Sequence, residues 1–281
     1  ATNIVATDQV LDSPMNNFAT LNPLATANFV PTYAEGNLKG IANTSGSGSP
    51  PDNFMGYSTH GFSSGKWYAE FVPVTQDAGA AGTYVSFGIT DNTNDKITYG
   101  MFGASEWCYS SEGLIYHDGS TTSSGYDTYV LGDIISIAVD CDNNKIYWAK
   151  NNTWQNSADP AAGTGSVAIT SASVGTSGYY HFEMGKTSTS RAYSSIANFG
   201  QDSSFAGTKT AQGNQDDNGI GDFYYDVPAG FMALCTSNLP DATVTPSEHF
   251  NTVTYSGDGG SQTITSENEF QTDLVWVVSV A

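Results

Sequence analysis

Residues 132–154 read GDIISIAVDCDNNKIYWAKNNTW, with two aspartates one residue apart, an Asn pair and two tryptophans six residues apart. Ile135, Ile137, Val139 and Cys141 fall on one side of an extended chain, with Ser136, Ala138 and Asp140 on the other. Past the Asn pair, Ile146 and Trp148 alternate with Tyr147 and Ala149. Asn143 and Asn144 tolerate the left-handed backbone of a tight hairpin, so the spacing predicts two antiparallel strands joined at DNNK. A hairpin accounts for every residue type here without a ligand.

Similar runs recur along the chain, separated by Gly, Asn, Asp and Ser turns: KWYAEFVPV, TYVSFGIT, GLIYHDG, DIISIAVD, KIYWAK, YYHFEMG and SSIANFG. Weak helical patterns occur only near the N-terminus and around QDSSFAG. The expected fold is all-β, an antiparallel two-sheet sandwich of jelly-roll type. Residues 43–53 and 118–127 have turn composition and are expected as loops, where a β scaffold usually places recognition. Residues 209–222 read as an exposed excursion. The texture changes after NLPDATVTP, giving a main sandwich over 1–246 with an N-terminal arm and a β segment over 247–281. That segment carries a hairpin signal, SGDGGS, and ends on an expected strand, DLVWVVSVA. About 35 residues are too few for a core of their own. The segment is therefore expected to pack on the sandwich, open a further module, or pair with a neighbouring subunit.

Charged residues make up 13% of the 281, well below the roughly 25% of ordinary globular proteins. This suits an extracellular or virion β protein with a polar, uncharged surface. Acids outnumber bases 28 to 8, a formal net charge of −20, which disfavours nucleic acid and anionic membranes as partners. There is no apolar run of 18 residues, so no membrane insertion is expected, and no targeting segment identifies a compartment. Cys108, Cys141 and Cys235 are too few and too dispersed for a disulfide framework or a zinc site and are expected as small buried hydrophobes.

Paired-carboxylate catalysis needs two acids across a cleft, one of them buried. Asp140 and Asp142 lie instead at the turn end of a strand, where solvation is expected. DNTND (91–95), DCDNN (140–144) and DDNGIGD (216–222) gather oxygen donors, but none completes a calcium loop: after DCDNN, Lys145 stands where glycine is needed, and no bidentate Glu follows. No cofactor is expected, with loop-bound calcium the alternative to solvated turns. No Gly-x-Ser-x-Gly elbow occurs, and His60, His117, His181 and His249 have no nucleophile context. The chain is thus expected not to be an enzyme. The aromatic residues, 12% of the chain, include several in turn-rich stretches. Trp107, Tyr109, Tyr126 and Trp154 combine flat apolar faces with hydrogen-bonding tips, a pairing suited to sugar rings or a protein partner. They are the candidate binding residues.

Five stretches in order, LDSPMNNFATLNP, SSGKWYAEFVPV, SFGIT, GDIISIAVDCDNNKIYWAKNNTW and IANFGQDSSF, resemble the successive motifs of the SPRY family over roughly residues 10–205. YYDVPAGFMALCTSNLP followed by FNTVTYSGDGGSQTI and FQTDLVWV resembles SPRY-containing structural proteins of tailed bacteriophages, of the tail-fibre or virion-appendage type. The resemblance implies a bent β-sandwich with a non-catalytic role in decoration or host attachment. Trp148 would be a core or near-core aromatic. Implied partners are other virion subunits or further copies of the chain, with a host cell-surface glycan or protein, at the virion surface or outside the cell. A secreted carbohydrate-binding module and a polysaccharide depolymerase are the alternatives.

Overall fold

The computed structural model describes residues 11–24, 32–42, 55–76, 85–91, 106–170, 178–186, 192–240, 248–265 and 274–278. Among these, the strands in chain order are β1 (Thr32–Ala34), β2 (Lys39–Ala42), β3 (Met55–Tyr57), β4 (Lys66–Gln76), β5 (Val85–Thr90), β6 (Glu106–Ser110), β7 (Leu114–His117), β8 (Ser120–Ser124), β9 (Ile135–Asp140), β10 (Lys145–Lys150), β11 (Thr153–Trp154), β12 (Val167–Ala168), β13 (His181–Lys186), β14 (Tyr193–Asn198) and β15 (Met232–Ala233). The front sheet runs β1-β2-β14-β4-β9-β10-β11, with β12 on β10 and β15 on β4; the back sheet runs β3-β13-β5-β6-β7-β8. Every pairing is antiparallel except the short parallel contact of β15 with β4, so the fold is the expected antiparallel two-sheet sandwich.

The opening hairpin forms as read. β9 pairs β10 with Asp140 opposite Lys145, and Asn144 takes φ +55° in the turn. Alternation sends Trp67, Phe71, Ile135, Ile137, Val139, Ile146 and Trp148 into the space between the sheets. There they meet the back sheet: Phe71 stacks on Phe87 with centroids 5.1 Å apart, and the Trp148 indole Nε1 donates to the Phe87 carbonyl at 3.1 Å.

The front sheet's outer face is buried as well. Tyr68, Ala138 and Tyr147 form a second core with Phe18, Phe223, Phe231, Ala233 and Cys235. Tyr68 meets the edge of Phe223 at 5.0 Å. Each fully buried Phe of this covering segment contributes about 1.5–3 kcal/mol through area removed from water. Burial on both faces explains why β4 and β9 read as near-continuous apolar runs. Glu70 belongs to this layer and accepts hydrogen bonds from the Tyr68 hydroxyl (3.0 Å), Asn198 Nδ2 (3.3 Å) and the backbone N–H groups of Tyr224 (2.8 Å) and Tyr225 (2.9 Å). The sheet thereby holds the covering segment through one carboxylate.

Several local expectations are corrected. Residues 120–124, expected as loop, form β8, because Asp118 (φ +50°) and Gly119 (φ +68°) make the two-residue turn that folds the chain back on β7. QDSSFAG is not helical: Phe205 and Ala206 have φ +50° and +53°, and Asp202 ties the backbone N–H groups of Ser204 and Ala206 into a compact turn. The 209–222 excursion is largely exposed, but Asp216 is a buried node. It accepts from the N–H groups of Asn218, Ile220 and Ala233 and from Asn238 Nδ2, all within 2.8–2.9 Å.

The chain divides into two units, Ala1–Asn238 and Leu239–Ala281. In the second unit, the expected hairpin around SGDGGS and the expected terminal strand are not formed among the described residues 248–265 and 274–278. A lone hairpin without a third strand or a covering layer is marginal in water.

Candidate functional site: a braced loop at the sandwich rim

Two of the four candidate aromatics are internal. Trp107 is 3% exposed and stacks on His117 with centroids 4.0 Å apart, while Tyr109 is fully buried against Tyr129 and Trp148. Neither offers a ring to a ligand, which corrects the expectation for both. They belong to β6, whose alternation turns them into the space between the sheets. Trp154 is half-buried, packed on the outer core of the front sheet. Tyr126 is half-buried at the start of the β8–β9 loop, its ring 5.6 Å from Tyr109.

The structure brings Tyr109 and Tyr126 together and draws the residues next to Tyr126 and Trp154 into contact. The Tyr109 hydroxyl donates to the Asp127 carbonyl, and Gln155 Oε1 accepts from the Asp127 N–H at 2.8 Å. Burial and the nearby Asp127 and Asp133 carboxylates push the Tyr109 phenol up, so it stays a neutral donor.

Beyond Tyr126 the loop is pinned from below. Tyr129 is buried, its hydroxyl within reach of the Val85 and Tyr109 carbonyl oxygens at 2.8 and 2.9 Å. Asp133 accepts from the Val130 N–H (2.9 Å) and from Asn151 Nδ2 (2.7 Å), with Lys150 Nζ at 3.6 Å. Lys150 and Lys209 donate to the carbonyls of Thr128 and Gly132, each at 2.7 Å, and the Gly132 N–H donates to the Pro73 carbonyl at 2.8 Å. In so acidic a chain, two of its few cations hold this loop. What it presents outward is Asp127, Thr128, Val130 (62% exposed) and Leu131 (39% exposed), beside the Tyr126 ring.

Val130 and Leu131 were missed by reasoning from aromatics. Their signal was present: TYVLGD sets two aliphatic residues directly before a turn glycine, where alternation assigns them to no buried face. A carboxylate, a hydroxyl, two aliphatic side chains and a phenol ring on a rigid support can recognise a surface of mixed polarity, and pre-ordering lowers the entropy lost on binding.

The acidic stretches are committed to the fold. Asp140 is buried rather than solvated, 3.2 Å from Lys66 Nζ, and accepts from the N–H and Nδ2 of Asn143. Asp142 accepts from the Gly65 N–H at 2.8 Å. Asp216, Asp217 and Asp222 are each engaged by backbone N–H donors. Of DNTND, only Asp91 lies within the described residues. Cys108, Cys141 and Cys235 form no disulfide among the described residues; Cys108 and Cys235 are buried as expected, whereas Cys141 is half-buried, its thiol pushed up by burial to about 12.

No family model and no curated protein matches this sequence. Among solved structures, the chain is similar to the SPRY domain of human HERC1, with 16% identity and a TM-score of 0.46 over 63% of this chain and 96% of that one. It is also similar to stonustoxin, with 16% identity and a TM-score of 0.34 over 64% of this chain and 25% of that chain. The chain thus spans about a quarter of the length of the stonustoxin chain.

Proposed function

We propose that the chain is a non-catalytic structural protein of a tailed-phage virion, part of a surface decoration or appendage, that contacts the host cell through the loop at 126–133. The supporting observation is that loop: an antiparallel sandwich holds it by Tyr129, Asp133, Lys150 and Lys209 while exposing Val130 and Leu131. Exposed aliphatic side chains on a strongly braced turn suit a surface kept for a partner. The resemblance of YYDVPAGFMALCTSNLP and the segment after it to SPRY-containing phage structural proteins, beside the ordered SPRY-like motifs, favours a virion setting, and the scattered negative charge favours solubility there.

The test is binding of the purified protein to susceptible cells, alongside mass spectrometry of purified particles. The Val130→Asp/Leu131→Asp double variant is expected to keep the wild-type unfolding midpoint and lose at least about tenfold in affinity, as removal of central interface residues does. Unchanged binding by that variant removes the loop from the reading, and absence of the chain from particles removes the virion. The half-exposed Tyr126 and Trp154 support a second reading, a secreted carbohydrate-binding module. Saturable glycan binding lost in Tyr126→Ala, without particle association, would favour it.

A further inference from the structure

Residues 274–278, Leu-Val-Trp-Val-Val, form an unbroken apolar run, with Leu274 83% and Trp276 86% exposed. Each residue is of a type that pleated sheets favour or accept, none is charged, and no strand ladder among the described residues includes them. Such a run is a pairing template.

The sandwich offers one edge of matching length. Among the described residues, the edge strands β1 and β3 have three residues each and β11, β12 and β15 two each, whereas β8 has five, Ser120–Ser124. β8 pairs β7 on one side and no described strand on the other, and its residues are exposed apart from Ser123, which is half-buried. Its sequence, STTSS, carries no Lys, Glu or Pro of the kind that guards an open edge, and its one irregularity is a bulge at Thr122, where the register with β7 shifts between Ile115 and Tyr116. The turn geometry aims its donors: His117 and Ser120 close a two-residue turn, so Thr121 in the next pair directs its N–H away from β7.

We propose that residues 274–278 of one chain add as a strand to the open edge of β8 in a second copy. Charge favours this pairing. Two chains of net charge −20 repel, and both β8 and the run are uncharged, so the joint sets no carboxylate against another. Donor and acceptor are different surfaces, so the contact yields open polymers or closed rings, of which reciprocal exchange between two chains is the smallest. The inference does not rest on the role of the 126–133 loop.

The experiment is sedimentation velocity of the full chain over a concentration series, with Thr121→Pro to block the acceptor and Trp276→Pro to block the donor. The wild type is expected to associate as concentration rises, each variant alone to stay monomeric, and an equimolar mixture of the two to stop at a 1:1 heterodimer. A wild type that is monomeric throughout overturns the proposal, as does assembly that persists in Thr121→Pro, because the tail then docks elsewhere. A readout independent of the Thr121→Pro fold is amide exchange at Thr121. It is expected to slow by about tenfold or more as wild-type concentration rises, and not in Trp276→Pro; equal behaviour in the two overturns the assignment.

Discussion

Glu70 is fully buried, and burial pushes its carboxyl up from 4.5 to about 7, although the N–H groups of Tyr224 and Tyr225, the Tyr68 hydroxyl and Asn198 pull it down. The titratable groups facing it are Tyr68 and Tyr225, both themselves raised by burial. Because the folded value lies above the unfolded one, the folded protein keeps a proton between these pH values that the unfolded chain has released. Stability from this group is therefore present in full below about pH 4.5 and is lost as pH rises through about 7. The loss is on the order of 3 kcal/mol. Denaturant melts of wild type and Glu70→Gln at pH 5 and pH 8 check this: the wild type is expected to lose stability relative to the variant across that interval, and parallel curves would refute it. Glu70→Ala is a different case. It removes the acceptor of the Tyr224 and Tyr225 N–H groups, each costing about 1–3 kcal/mol, while the Tyr68 hydroxyl keeps Ser136 Oγ and Asn198 Nδ2 keeps the Asp222 carbonyl, and is expected to release the segment around residues 223–225, seen as faster amide exchange at Tyr224 and Tyr225.

At the scale of elements, two glycines control the back sheet. A Cβ at Gly88 would lie far inside contact distance of the Trp107 carbonyl oxygen, a backbone atom held in the β5–β6 ladder. Gly119 closes the β7–β8 turn at φ +68°, a conformation that costs a branched side chain about 1–2 kcal/mol. Gly88→Ala is thus expected to break global folding, and Gly119→Val to loosen β8 selectively, with exchange at Ser120–Ser124 rising while β9 and β10 stay protected. Strands with a strong apolar period were legible in the sequence, as β4, β9, β10 and β14 show. β8 was not, because a polar edge strand buries little and STTSS has the composition of a loop; only the Asp-Gly pair marked it. β6 was hidden for another reason: in EWCYS the alternation is of aromatic with polar or small residues, which does not say whether the aromatics face solvent or a second sheet. That ambiguity made Trp107 and Tyr109 look available when they are core. The braced loop was legible only in part, since its supports, Pro73, Lys150, Asn151 and Lys209, come from distant positions.

At the scale of the molecule, Ala1–Asn238 carries both cores, while the described residues of Leu239–Ala281 form no strand. The first unit closes on its own last residue. Asn238 donates from Nδ2 to Asp216 (2.8 Å) and to the Ala233 carbonyl (2.9 Å) and accepts from Asn218 Nδ2 (2.8 Å). It thus completes the node through which Asp216 gathers residues 218–233 over the front sheet. A chain ending at Asn238 is expected to unfold in one cooperative transition with a midpoint within a few degrees of the full chain. Asn238→Ala in that shortened chain removes hydrogen bonds to a buried carboxylate, a loss of about 1.5–3 kcal/mol for a charged partner. At this size each kcal/mol lowers the midpoint by about 2–4 °C, so the variant is expected to melt several degrees lower. Calorimetry of the full chain, the shortened chain and the variant separates the cases: a large drop on removing 239–281 alone would mean that the second unit supports the sandwich, and an unchanged midpoint in Asn238→Ala would mean that Asp216 holds its segment without Asn238.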